Sequence, residues 1–174
     1  MQSVDLYATS VLVFQRYLTR LAALLDRAER HCDADPAQCD ALLEARLAPD
    51  MLPLRVQMEV VSNFALRAAF PLAGLAVPDY GVFPGDFAGL RARLARTQRL
   101  LEALTPESFS GAETRSVSDR AGEADLTLPA PKFLFEYAIP NFFFHLSMAY
   151  AILRSRGVDV GKADFDGYHR YSKA

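Results

Sequence analysis

The stretch from Phe133 to Arg154, FLFEYAIPNFFFHLSMAYAILR, limits the fold more than any other part of the chain. It is almost wholly apolar and strongly aromatic, with one proline, one asparagine and one histidine inside it. A segment this long without strict alternation reads as a buried helix. At about 3.6 residues per turn, Leu134, Ala138, Asn141, His145, Met148 and Ile152 share one stripe. Asn141 and His145 therefore point the same way, one turn apart, and both are expected inside. The other faces carry Phe135, Tyr137, Phe142, Phe143, Phe144, Leu146, Tyr150 and Leu153, and a helix apolar all round must be covered on every side. The other helices of one chain cover only part of it, so a homodimer is expected, a second copy covering the rest. Pro140 lacks the donor that the Glu136 carbonyl needs, which predicts a kink beside Asn141.

The whole chain, 174 residues, fits one domain spanning 1–174, long enough to bury a core without disulfides or metals. With 51% hydrophobic and 23% charged residues it has the composition of a soluble globular protein. The net charge is −2 and neither sign dominates a long segment, so no electrostatic case exists for nucleic acid or an anionic membrane as partner. The beginning, MQSVDLYATSVLVFQRYL, has no basic leader followed by an apolar core and a small-residue cleavage site. The apolar runs are interrupted by Arg, Asn, His or Glu, so no membrane span is expected and the chain is placed in the cytoplasm. Cys32 and Cys39 stand in HCDADPAQCD, beside His31, Asp33, Asp35 and Asp40; the spacing matches no compact zinc pair, and they read as ordinary thiols.

Taken in order, a first helix is expected from about Asp5 to Arg30, capped by Ser3 or Asp5, with Tyr7, Ser10, Phe14, Tyr17, Leu21, Leu24, Leu25 and Ala28 buried. Asp33 to Asp35 followed by Pro36 breaks it, and Pro36 opens a short extra helix, AQCDALLEARL. Asp50 in LAPDMLPL reads as the N-cap of a second long helix reaching about Phe70. Its inward stripe is Leu54, Gln57, Val60, Val61, Phe64 and Ala68; Arg55, Glu59, Ser62 and Arg67 face out. Gln57 is thus an amide on a core stripe, and leaving it unpaired costs about 1 to 3 kcal/mol. Asn141 or His145 are its expected partners.

The apolar loop PLAGLAVPDYGVFPG, from Pro71 to Gly85, is expected to lie over the end of the bundle as a lid. Asp86 caps a third helix with Phe87, Leu90, Leu94, Thr97, Leu101 and Leu104 inward and Arg91, Arg93, Arg96 and Arg99 as a solvated basic side. Between Thr105 and Pro129 the periodicity changes, and Val117, Leu126 and Leu128 around Arg120, Ala121 and Gly122 suggest a small β-hairpin. Pro129 and Pro131 start the last helix, Gly157 stops it, and the chain ends in a mobile mixed-charge tail containing His169.

Four long helices, a short extra helix after the first and a hairpin before the last make an all-α four-helix bundle that resembles the DinB/YfiT-like superfamily. LEARLAPDMLPL and PNFFFHLSMAYAILRSRGVDVGKADF are similar to a bacterial branch of it described as a domain of unknown function. In the metal-binding members three histidines hold a divalent ion, one early in the second helix and two a turn apart on the fourth. The resemblance puts His145 where the last falls, Asn141 one turn before it and Gln57 near the helix-two position. Amide oxygens are poor ligands for zinc or nickel, so the full three-histidine site is absent, and no metal or cofactor is expected.

No glycine-rich phosphate loop and no nucleophile turn is present. Ser147 and His145, two apart on a helix, do not face one another, and Glu136 falls on another face from His145. No catalytic residue can be assigned. The reading is a bundle with a small polar pocket at Gln57, Asn141 and His145 that binds a small molecule. The alternative, by fold analogy, is a divalent-metal-dependent thiol transferase or hydrolase of the DinB type.

Overall fold

The computed structural model describes residues 5–32 and 35–169. Asp5 opens the first helix by accepting from the Ala8 N–H at 2.9 Å; Ser3, the other cap candidate, lies outside the described residues. A π-helical turn, Ala8–Leu12, leads into α1, Val13–His31. Phe14, Leu18, Leu21, Leu24, Leu25 and Ala28 form its fully buried stripe, while Tyr7 and Tyr17 are half-buried. Asp35 accepts from Ala37 N and Pro36 begins α2, Pro36–Leu43. This helix stops earlier than its sequence suggests, because the chain turns after the buried Leu42 and Leu43 and Ala45 O accepts from Leu54 N at the head of α3.

Helix α3, Leu54–Leu72, starts at Pro53 and not at Asp50. The residue before a proline avoids the helical region, so Leu52 cannot be in the helix and Asp50 stands too far back to cap it. Ser62, expected outside, is buried and donates to Met58 O at 3.4 Å. At its other end the α3 carbonyl of Leu72 accepts from Arg115 at 2.6 Å, a cation at the negative end of a helix dipole.

The loop after α3 does not form a lid. Leu75, Val77 and Val82 are exposed, while Tyr80 and Phe83 are half-buried along the flank of α4, Phe87–Glu102. Asp86 caps α4 through Gly89 N at 2.7 Å, and all six residues of its expected inward stripe are buried. The basic side of α4 is matched locally: Arg91 pairs with Asp26 and Glu29, Arg93 donates to Asn63, and Arg96 to Asp79 O.

Strands β1, Ser116–Ala121, and β2, Ala124–Pro129, form an antiparallel hairpin with Val117 opposite Leu128 and Ala121 opposite Ala124. The two-residue connection uses Gly122 at φ 61°, a conformation that suits glycine. The last helix begins with Pro129 as N-cap of a short turn, α5, Ala130–Lys132, passes through a π-helical segment, Phe133–Ala138, and continues as α6, Ile139–Ser155. The missing N–H of Pro140 is accommodated by this wider turn, in which Ile139 N bonds Leu134 O.

Helix α3 packs against α6 and α4, and α1 closes the bundle against α4. Helix α6 ends in a Schellman motif: Val158 N bonds Leu153 O, Gly157 N bonds Arg154 O, and Val158 is buried. The segment from Gly157 to Asp166 is docked on the bundle, and the mobile, mixed-charge end expected after it falls partly outside the described residues. Val160 is buried, and α7, Lys162–Asp166, lies on α1, with Phe165 against Tyr17 and Tyr150, Arg27 paired with Asp164 at 2.9 Å and Arg16 on Asp166 O. The architecture is an all-α bundle with a short extra helix after the first and a hairpin ahead of the last. No described helix is long and apolar enough to cross a membrane.

Candidate functional site

Gln57 sits one turn inside α3 and is 1% exposed. Its Nε2 donates to Leu52 O at 3.1 Å, which turns Oε1 toward α6, where it meets His145 Nδ1 at 2.7 Å. An amide oxygen only accepts, so Nδ1 carries the proton and the neutral imidazole keeps its lone pair on Nε2. Phe64 stacks on the ring with an interplanar angle of 20°, and Phe144 meets it edge-on. Burial lowers the imidazole pKa below its ordinary value, so the neutral form is favoured.

His145 is half-buried, not internal, and lines a cleft of about 540 Å³ open to solvent. The cleft runs between α3 and α6 from Leu52 and His145 at one end, past Val60, Phe64 and Asn141, to Arg67, Tyr137 and the hairpin turn at the other. Asn141 shares the His145 wall but bonds neither His145 nor Gln57. Its Nδ2 donates to Tyr137 O at 2.7 Å, on its own helix, leaving the side-chain oxygen as acceptor. Of the three residues singled out by sequence, two line the cleft, and Gln57 stands behind it as the group that orients His145.

The far end of the cleft holds residues that helix periodicity does not single out. Arg67 donates to Asp119 Oδ1 through Nε at 3.1 Å and Nη2 at 2.8 Å, to Arg120 O at 2.6 Å, and lies 4.9 Å over the Phe64 ring. The Tyr137 hydroxyl is 3.4 Å from the same nitrogen, and burial first of all raises the Tyr137 pKa. The hairpin covers this part of α3, so an arginine that looks solvated on a helical wheel becomes a tie between α3 and β1. Glu136 is exposed and paired with Lys132, and Tyr150 packs on Phe165, so neither joins His145.

The model of a domain of unknown function, DUF1993, matches residues 6–166. The chain belongs to the DUF1993 family. A crystal structure of a DinB family member protein from Shewanella denitrificans is similar to this DUF1993 chain at 33% identity, covering 97% of this chain and 96% of that one with a TM-score of 0.85. The fold is therefore DinB-like. No curated protein matches the chain.

The divalent ion that this fold implies does not fit the side chains present. His145 offers one imidazole nitrogen, Asn141 one neutral amide oxygen, and both polar atoms of Gln57 are engaged away from the cleft. Among the described residues no three His, Cys, Asp or Glu stand together. The thiols form a separate pair at the α1–α2 junction. Burial and the neighbouring Cys39 push the Cys32 thiol up to about 12, which makes it unreactive.

Proposed function

We propose that this DUF1993 chain is a small-molecule-binding bundle that holds its ligand in the α3–α6 cleft without a metal. The observation that supports this reading best is the Gln57–His145 hydrogen bond, which fixes the tautomer and presents Nε2 as an acceptor beside Asn141. A concave site with apolar walls and a few fixed polar groups is the usual form of such a pocket. Screening of small organic molecules by thermal shift tests it. Molecules that fit the cleft raise the melting temperature of the wild type and not of His145→Leu; stabilisation indifferent to His145 refutes the reading.

The metal-dependent alternative is separated by elemental analysis of protein purified without an affinity tag. Substoichiometric zinc, nickel and manganese are expected. A near-equimolar metal that disappears in His145→Ala overturns the proposal in favour of a DinB-type transferase or hydrolase. Phe135 and Phe144 on the last helix are 42% and 52% exposed, which supports a second copy of the chain as a partner.

A further inference from the structure

We propose that the ligand of this cleft is a small organic carboxylate, with its apolar body between α3 and α6, its anionic end at Arg120 and a hydrogen-bond donor at His145. This assignment rests on the cleft being a small-molecule site and adds the chemical class. The charge distribution at the hairpin end points to it. Arg67 is neutralised by Asp119, its charge held beneath the strand. Arg120 has no carboxylate within ion-pair distance among the described residues, although Asp125 is its register partner across the hairpin. Its Nε donates to Gly122 O at 3.3 Å, which folds the side chain over the turn, and both residues line the cleft. Among the residues lining the cleft, Arg120 is thus the cation that no carboxylate neutralises, with guanidinium donors suited to a carboxylate, while Glu123 and Asp125 of the same hairpin do not line it.

The other end carries the opposite requirement. His145 Nε2 and the Asn141 side-chain oxygen are acceptors, so the ligand atom facing them must donate. Between the two ends, Val60 and Phe64 line α3. From Gln57 to Arg67 the helix rises about 15 Å, so the ligand is an elongated molecule with unlike ends.

The test titrates isotope-labelled protein with two compounds, a hydroxynaphthoate bearing its groups at opposite ends of the rings and the matching naphthol without the carboxylate. The Gly122 amide and Asn141 side-chain resonances report on the cleft. Both compounds are expected to shift these signals, with the carboxylate binding about tenfold more tightly and its advantage shrinking as ionic strength rises. Arg120→Gln should bring the two affinities within about twofold of each other, whereas Arg99→Gln, on the exposed side of α4, keeps the difference. Equal affinities in the wild type, or a preference untouched by salt and by Arg120→Gln, overturn the carboxylate assignment while the pocket stands. If neither compound moves the cleft resonances, the pocket reading falls as well.

Discussion

His145 is held from one side by Gln57 and leaves its other nitrogen toward the cleft, so the two residues act as a unit. Removing the imidazole in His145→Leu strands a buried amide oxygen and is expected to lower unfolding stability by about 1 to 2 kcal/mol. Gln57→Leu combined with His145→Leu should recover part of that loss, because neither polar partner is then left alone; urea unfolding of the double-mutant cycle checks it. The same ring makes stability depend on pH. Its folded pKa is lowered by burial, so the unfolded chain binds the proton more readily. The contribution is complete above the unfolded value of about 6.5 and is lost as pH falls through that value toward the folded one. The wild type should therefore lose more of its urea midpoint than His145→Leu between about pH 7.5 and pH 5. A wild-type profile parallel to that of the variant would contradict this. That Gln57 needs a partner on the last helix is legible from periodicity, which leaves Asn141 and His145 as candidates; the choice of His145 is made by the packing of α3 on α6. The sideways turn of Asn141 is not, because it depends on the Tyr137 carbonyl within the widened helix.

Among the elements, the hairpin is tied to α3 by the Arg67–Asp119 pair, both side chains mostly buried. Arg67→Met leaves the Asp119 carboxylate uncompensated and is expected to cost about 2 to 3 kcal/mol, with faster amide exchange in β1 and β2 than in α3. Such a contact joins residues 52 apart in sequence, and no local pattern announces it. The start of α4 carries a different constraint. A Cβ at Gly89 would lie 2.0 Å from the Pro84 carbonyl oxygen, so the loop backbone crosses directly over this position. Alanine is favoured over glycine in a helix by about 1 kcal/mol, yet Gly89→Ala should destabilise by about 2 kcal/mol, measured by thermal unfolding. Regular stripes, caps and turn glycines reveal α1, α4 and the hairpin in the sequence. The apolar loop after α3 misleads because hydrophobicity says that a residue seeks cover without saying where. Val158 and Phe165 find it on the bundle, and Val82 does not.

At the scale of the molecule, the bundle covers most of the aromatic helix by itself: Phe133, Phe142 and Leu146 are buried, and Phe143 and Tyr150 are held by Tyr17 and Phe165. Phe135 and Phe144 remain. Sedimentation velocity at low micromolar concentration is expected to show a dimer that Phe135→Ser with Phe144→Ser returns to monomer, and a wild-type monomer would dismiss the second copy. The hairpin gives the molecule a further property. A Cβ at Gly122 meets nothing within 4 Å, so the turn projects freely while its flank borders the cleft. Extra residues grafted at that tip would raise one bank of the trough between α3 and α6 and leave the interior packing alone, so its depth is adjustable at a single bend.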